Sequence, residues 1–266
     1  MAEPTLPTFK SPPLIEVVSG VVFDPLADIN GPLLGQFWNQ QSAVFPKRPT
    51  ELEALSSLFE LFQLSGAQAA PPPGSVLVNE PPPGPRYLLE NVDGTQVVQV
   101  QRDRFLCNWR RHAPNNEYPR FDALSVFFKT QYAEFERFLK RELNVQPTPR
   151  QYELVYVNHI SLKAASEIGL LLPDVSWRPT ARWLPSPDGV ESSLTFTMPE
   201  KAGRLRVRAQ TAEVLHTRNR VVVLELTARG FLDDREQWFK LAHEWIVRGF
   251  DDLLSPSLAT ELGRNA

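Results

Sequence analysis

The stretch RYLLENVDGTQVVQVQRDRFLCNWRR, residues 86–111, decides how the chain is to be folded. Its Asp93-Gly94 dipeptide is a hairpin-turn signal, because a type I′ turn needs positive φ at both central residues. Folding about that turn sets Leu89 against Val98 and Tyr87 against Val100. A second tight turn at Arg102-Asp103 sets Val100 against Phe105 and Val98 against Cys107. One face of the meander then carries Tyr87, Leu89, Val98, Val100, Phe105, Cys107 and Trp109. The other carries Glu90, Gln99, Gln101, Arg104 and Asn108. This alternation predicts an antiparallel sheet with one face buried.

Working outward, a helix is predicted over 121–143. Phe121, Leu124, Phe127, Phe128, Tyr132, Phe135, Phe138, Leu139 and Leu143 trace one apolar stripe that should lie on the buried sheet face. Upstream, PPLIEVVSGVVF (12–23) reads as a strand, with a single carboxylate, Glu16, among apolar residues. Segments 32–38 and 51–64 look helical, the second with Thr50 as its N-cap and Leu52, Leu55, Leu58, Phe59 and Phe62 on one side. The stretch 66–85 is too rich in Pro, Gly and Ala for helix or central strand and reads as an extended surface loop.

The second half repeats the order. QYELVYVNHIS (151–161) is a strand, 164–169 a short helix and 170–190 irregular. Strands at 192–198, 204–216 and 221–230 form another meander, and a helix over 233–254 closes the chain, with Asp233 and Asp234 at its positive start. Small echoes link the halves: EVVSGVVF (16–23) with ELVYVNHI (153–160), and FFK (127–129) with WFK (238–240). The expected fold class is α+β, built of two pseudo-repeats of strand, helix, three-stranded meander and long helix. The order is that of a TATA-binding-protein-like (helix-grip) duplication. The repeats divide the chain at 1–147 and 148–266, or form one domain if their sheets join. In this frame Glu16 has a counterpart in Glu153, and both are expected to be architectural, paired with a cation or at the sheet margin.

Composition narrows the functional classes. With 42% hydrophobic and 22% charged residues the chain is an ordinary globular one, and its net charge of −3 gives no global attraction to nucleic acid or anionic membrane. The single cysteine, Cys107, forbids a disulfide framework and fits a reducing compartment. The start lacks the basic and apolar regions of a signal peptide, and no apolar run reaches the ~18 residues that span a bilayer. A cytoplasmic location is expected.

PPLIEVVSGVVF, RFLCNWRR, YVNHIS and LAHEWIVRGFDDLLSPSL, taken together and in this order, resemble a sporadically distributed family of uncharacterised bacterial proteins. That resemblance implies a bacterial cytosolic protein, of a patchily distributed type linked to defence or toxins. It brings no catalytic residues with it.

Chemistry-bearing motifs are few. The histidines, His112, His159, His216 and His243, are well separated, and HEWIV (243–247) has Val247 where a zinc protease motif requires its second histidine. No metal or other cofactor is expected. There is no GxSxG elbow, and Cys107 falls on the buried face of its strand. GxxxxGK[ST] and GxGxxG are absent, so an enzyme is not expected. Three candidates remain. Tyr156 and Asn158 share one side of their strand and His159 faces the other; with Trp183 they are candidate ligand-binding residues. Arg204, Arg206, Arg208 and Arg229 form a candidate basic face, with Arg206 set near Thr197, and Arg208 near Thr195 and Arg229. The leading expectation is a non-enzymatic scaffold that binds a protein partner, a toxin-neutralising or defence component whose partner is encoded nearby. The alternatives are a nucleic-acid-binding protein using the arginines, or a small-ligand-binding protein using a pocket near Tyr156 and Asn158.

Overall fold

A computed structural model describes residues 5–55, 84–161, 189–214 and 217–265. Nine strands form one antiparallel sheet. In chain order they are β2 (Leu14–Phe23), β3 (Thr50–Leu52), β4 (Arg86–Glu90), β5 (Gln96–Gln101), β6 (Arg104–Arg110), β7 (Pro149–Ser161), β8 (Glu191–Thr197), β9 (Gly203–Glu213) and β10 (Arg220–Gly230). The spatial order is β3-β4-β5-β6-β2-β7-β10-β9-β8. A separate ribbon pairs β1 (Thr8–Phe9) with β11 (Arg264–Asn265). The helices are α1 (Gly31–Gln41), α2 (Arg120–Leu143), α3 (Arg235–Leu253) and α4 (Pro256–Glu261). The mixed α+β class expected from the sequence is therefore present, and the sheet runs unbroken across residue 148 through the β2–β7 pair.

The central meander has the register read from its turns: Leu89 opposes Val98, Tyr87 opposes Val100, Val100 opposes Phe105 and Val98 opposes Cys107. Helices α2 and α3 lie on one face of the sheet. Phe105 stacks on Phe135 with centroids 4.9 Å apart, and Tyr152 lies 5.6 Å from Trp238. Phe105, Tyr132, Phe135, Leu154 and Trp238 are completely buried. Trp238 satisfies its indole N–H on the carbonyl of Ala202 at 2.9 Å, so the ring enters the core without an orphan donor. Asp234 caps α3 by accepting from the backbone N–H groups of Glu236 and Gln237, and Asn144 ends α2 in the left-handed conformation.

Three expectations are corrected. Residues 50–52 are strand β3 rather than the cap and start of a helix: Thr50 pairs with Leu88 and Glu51 with Tyr87. Covering the open edge of β4 outweighs a helical periodicity that local sequence alone suggests. The rest of 51–64 beyond Leu55 lies outside the described residues, as do most of the Pro-rich loop, the short helix at 164–169, nearly all of 170–190, and His216. Second, the polar face of the meander is buried as well. Gln99, Gln101, Arg104 and Asn108 are all at most 5% exposed. Gln101 exchanges hydrogen bonds with both backbone groups of Leu55, so chain lies against that face. Third, the register of the β8–β9–β10 meander is shifted from the expected one: Arg206 opposes Thr195 and Thr227, Arg208 opposes Ser193 and Glu225, and Arg204 opposes Thr197 and Arg229. The β8–β9 connection closes on the 3-10 turn Pro199–Lys201. The β9–β10 connection closes with Val214 donating to Asn219.

Glu16 and Glu153 each face an arginine directly across the sheet. Glu16 opposes Arg110, whose Nε reaches its carboxylate at 2.9 Å, and Glu153 opposes Arg229, also at 2.9 Å. The Glu16 side of this arrangement continues as a chain of bonds. Arg86 donates to Gln99, Gln99 to Asn108 and Asn108 to Glu16, at 2.7, 2.7 and 2.6 Å. The Glu153–Arg229 side chains are 11% and 17% exposed, against 27% and 34% for Glu16–Arg110. Burial decides the cost of breaking each. Glu153→Gln should cost about 3 kcal/mol, since it removes the carboxylate from a largely buried ion pair, and Glu16→Gln about 1 kcal/mol, the range of a hydrated pair. Urea unfolding of the two variants checks this, and a larger loss at Glu16 would overturn the ranking.

Candidate functional site

Between the sheet and the helices lies a cavity of about 220 Å³. Its floor is Tyr156 and Asn158 of β7, with Leu14 of β2 and Leu226 of β10. One wall is α3, through His243, Ile246, Val247 and Phe250, and the other is the entry to α2, through Tyr118 and residues 120–122. The segment from Leu6 to Pro12 closes the remaining side. That segment is held by the β1–β11 ribbon and by Lys10 and Ser11 donating to the carbonyls of Gly263 and Leu262. Phe9 packs edge-on against Phe250 at 5.2 Å. Arg120 and Asp122 are exposed, so the cavity reaches solvent between a cation and an anion.

The α2 entry has two irregularities. Pro119 stands at the N-cap with no capping side chain, and Arg120 has φ 70°, a left-handed conformation that an arginine rarely adopts. Arg120 in turn lies over the Tyr118 ring, 5.8 Å from its centroid. Strained backbone of this kind gathers at binding sites because the surrounding fold over-determines it.

Inside that charged mouth the polar groups of the cavity are few and neutral. Tyr118 and Tyr156 share a hydroxyl–hydroxyl bond of 2.9 Å. Burial pushes Tyr118 up to about 12 and holds Tyr156 well above the usual phenol range, so both stay protonated. Asn158 donates its amide to the carbonyl of Leu224 at 3.2 Å. His243 stacks face to face on Phe121, with centroids 3.9 Å apart and planes 4° from parallel. Burial lowers its pKa to about 4, opposed by Asp122 and Glu244, so it is an uncharged imidazole near neutral pH.

Of the sequence candidates, Tyr156 and Asn158 meet in this cavity. His159 is on the opposite face of the sheet, opposing Val223, its pKa lowered by burial. Trp183 lies outside the described residues. The four arginines lie on that same opposite face, but Arg229 is bound to Glu153 and Arg208 to Glu191 at 2.8 Å. Arg204 and Arg206 also have interaction partners within the chain. Cys107 is buried, and burial raises its thiol. Among the described residues no cluster of three or more His, Cys, Asp or Glu side chains could hold a metal ion. No described helix is long and apolar enough to cross a membrane.

His243, Tyr118 and Phe121 are the cavity residues that sequence reasoning missed. His243 reads from its spacing as a helix-edge residue, and only the loop entering α2 brings Phe121 over it. The one available signal was a histidine in an otherwise apolar helical stripe.

None of the family models, curated proteins or solved structures compared with the chain matches it. The bacterial, defence-linked character implied by the sequence resemblance gains no support from these comparisons.

The depressed histidine makes stability pH-dependent. The unfolded chain takes up the His243 proton near its ordinary value of about 6.5, whereas the folded chain resists until about 4. Stability from this group is therefore complete above that window and lost as pH falls through it, by the order of 3 kcal/mol. An NMR titration should place His243 below 5. His243→Phe should lose less stability than the parent between pH 7 and pH 4, and an equal loss would show that another group governs the acid limb.

Proposed function

We propose that this protein is a small-molecule-binding protein, with a mostly apolar compound held between the sheet and α2 and α3. The observation that carries the reading is the cavity itself: an apolar chamber with a few converging polar groups, entered beside a strained residue and walled by a segment tied down from the chain's other end. Size constrains the occupant. A cavity of ~150 Å³ is enough for benzene, so about 220 Å³ suits a compound of one or two fused rings.

The scaffold reading that accompanies this is a duplication. The strand order is the same from either side of the central pair, since β6, β5 and β4 follow β2 as β10, β9 and β8 follow β7. The two carboxylate–arginine pairs occupy corresponding strands. Both features favour a two-repeat fold of the TATA-binding-protein-like, helix-grip kind, in which long helices rest on a curved sheet and leave room for a ligand between them.

A cavity-filling substitution tests the binding reading. Ile246→Phe should raise stability by about 1 kcal/mol, as filled cavities commonly do. It should also abolish the thermal shift that xenon or naphthalene gives the parent protein. A parent protein that gains no stability from either probe would refute the reading.

A second reading, docking of a protein partner, is favoured by the sheet edge. Strand β8 is largely exposed and Phe196 is 43% exposed, the form of edge to which an added strand can pair. A defined partner that binds the parent with equal affinity to Phe196→Asp would remove this reading.

A further inference from the structure

We infer that the compound bound in the cavity is a neutral, planar nitrogen heterocycle presenting a ring carbonyl beside a ring N–H, a lactam edge. The inference rests on the small-molecule reading of the cavity and adds the chemical class of the occupant.

The argument is a count of donors and acceptors. Tyr118 and Tyr156 are both protonated, so together they hold two hydroxyl protons. Their mutual 2.9 Å bond uses one. The other has no protein acceptor among the described residues, and the pair lines the cavity. It is a donor waiting for a carbonyl or ring nitrogen. Asn158 has the complementary capacity. One amide proton is committed to Leu224, and the second amide proton and Oδ1 have no protein partner among the described residues. Tyr156 and Asn158 are two residues apart on one strand face, about 7 Å along the strand, within reach of a single small molecule. A hydroxyl donor and an amide group on one cavity floor are met by a ring that carries an acceptor and an N–H on one edge.

Shape and charge narrow the class. The stacked Phe121 and His243 rings present a flat wall, which favours a planar partner. The walls are apolar and the charged lining groups, Arg120 and Asp122, stand exposed at the mouth, so an ionised ligand held against the tyrosine pair would lose its hydration without a countercharge beside it. At the mouth Arg120 and Asp122 offset one another. A neutral ring system meets these conditions, and a carboxylate or an amine does not.

Calorimetry on the full chain with three probes of similar size tests the class. They are 2-quinolone, which carries the lactam edge; 2-methoxyquinoline, which lacks the N–H; and naphthalene, which lacks both groups. The expected result is 2-quinolone binding about tenfold more tightly than either analogue, the range of one or two buried hydrogen bonds. The preference should fall towards unity in Tyr156→Phe and in Asn158→Leu. Equal affinity of the three probes for the parent would overturn the lactam assignment while leaving the cavity reading intact. A preference unchanged in both variants would do the same. Failure of all three probes, together with no xenon binding, would instead remove the cavity reading itself. The ranking on the parent protein needs no variant, so a variant that fails to fold leaves the test decisive.

Discussion

The antiparallel pairing of β2 with β7 is the constraint on which the rest of the molecule depends. Those two strands lie at the middle of the nine, run 10 and 13 residues, and are covered on the helix face by α2 and α3. Each brings a meander on its outer side, so one pairing joins a five-strand set and a four-strand set into a single sheet. Parting them would expose Val17, Val21, Leu154 and Tyr156 at once, all buried. Removing such side chains from water contributes about 2 kcal/mol apiece. Two separate half-sheets would leave that seam as open, sticky edges.

The polar side of the sheet bears on specificity more than on gross stability. A buried pair such as Glu153–Arg229 roughly repays its own desolvation and is not a strong net stabiliser. Its effect is on alternatives. If β7 slipped by one residue against β10, Glu153 would leave Arg229 and a carboxylate would turn towards the helices. The chain of amides from Arg86 through Gln99 and Asn108 to Glu16 acts likewise across four strands. Each of these bonds forms only in the native register, so a shift leaves several buried polar groups unpaired together.

The legible parts of this fold were those where chemistry is local. Asp93-Gly94 marks a turn, although Gly94 alone takes positive φ and the type I′ form is not adopted, and the pairs beside it follow its register, which is why Leu89–Val98 could be read directly. The stripes of α2 and α3 were legible because a wide apolar face has one helical solution. Residues 50–52 were misread because their strand exists only through Leu88 and Tyr87, some 36 residues away in the chain. The arginine register was misread because no Asn-Gly or Asp-Gly fixes the 198–202 turn, where Glu200 and Lys201 take positive φ without a glycine to announce it. Of the candidate site, the strand half was visible in the alternation of Tyr156 and Asn158. The half supplied by Tyr118, Phe121 and His243 depends on how two helices cross, which no spacing records.

The location of the cavity follows from a difference between the two long helices. Laying FFK (127–129) on WFK (238–240) sets Phe128 of α2 against Phe239 of α3, and both rings pack in the core. One turn on, Tyr132 falls against His243, and the next turn sets Phe135 against Ile246. On α2 those positions are large aromatic rings without exposed surface, Tyr132 edge-on to Phe105 and Phe135 stacked on it, joined by Phe37 from α1. On α3 the same positions are an imidazole and an aliphatic side chain, and it is there that the cavity opens. Smaller side chains on α3 than on α2 leave space that the sheet is too stiff to take up. In most cores such space would be a liability, closed by a larger residue. Here it is lined by a tyrosine pair, an asparagine and an uncharged histidine, groups that a packing defect has no reason to collect.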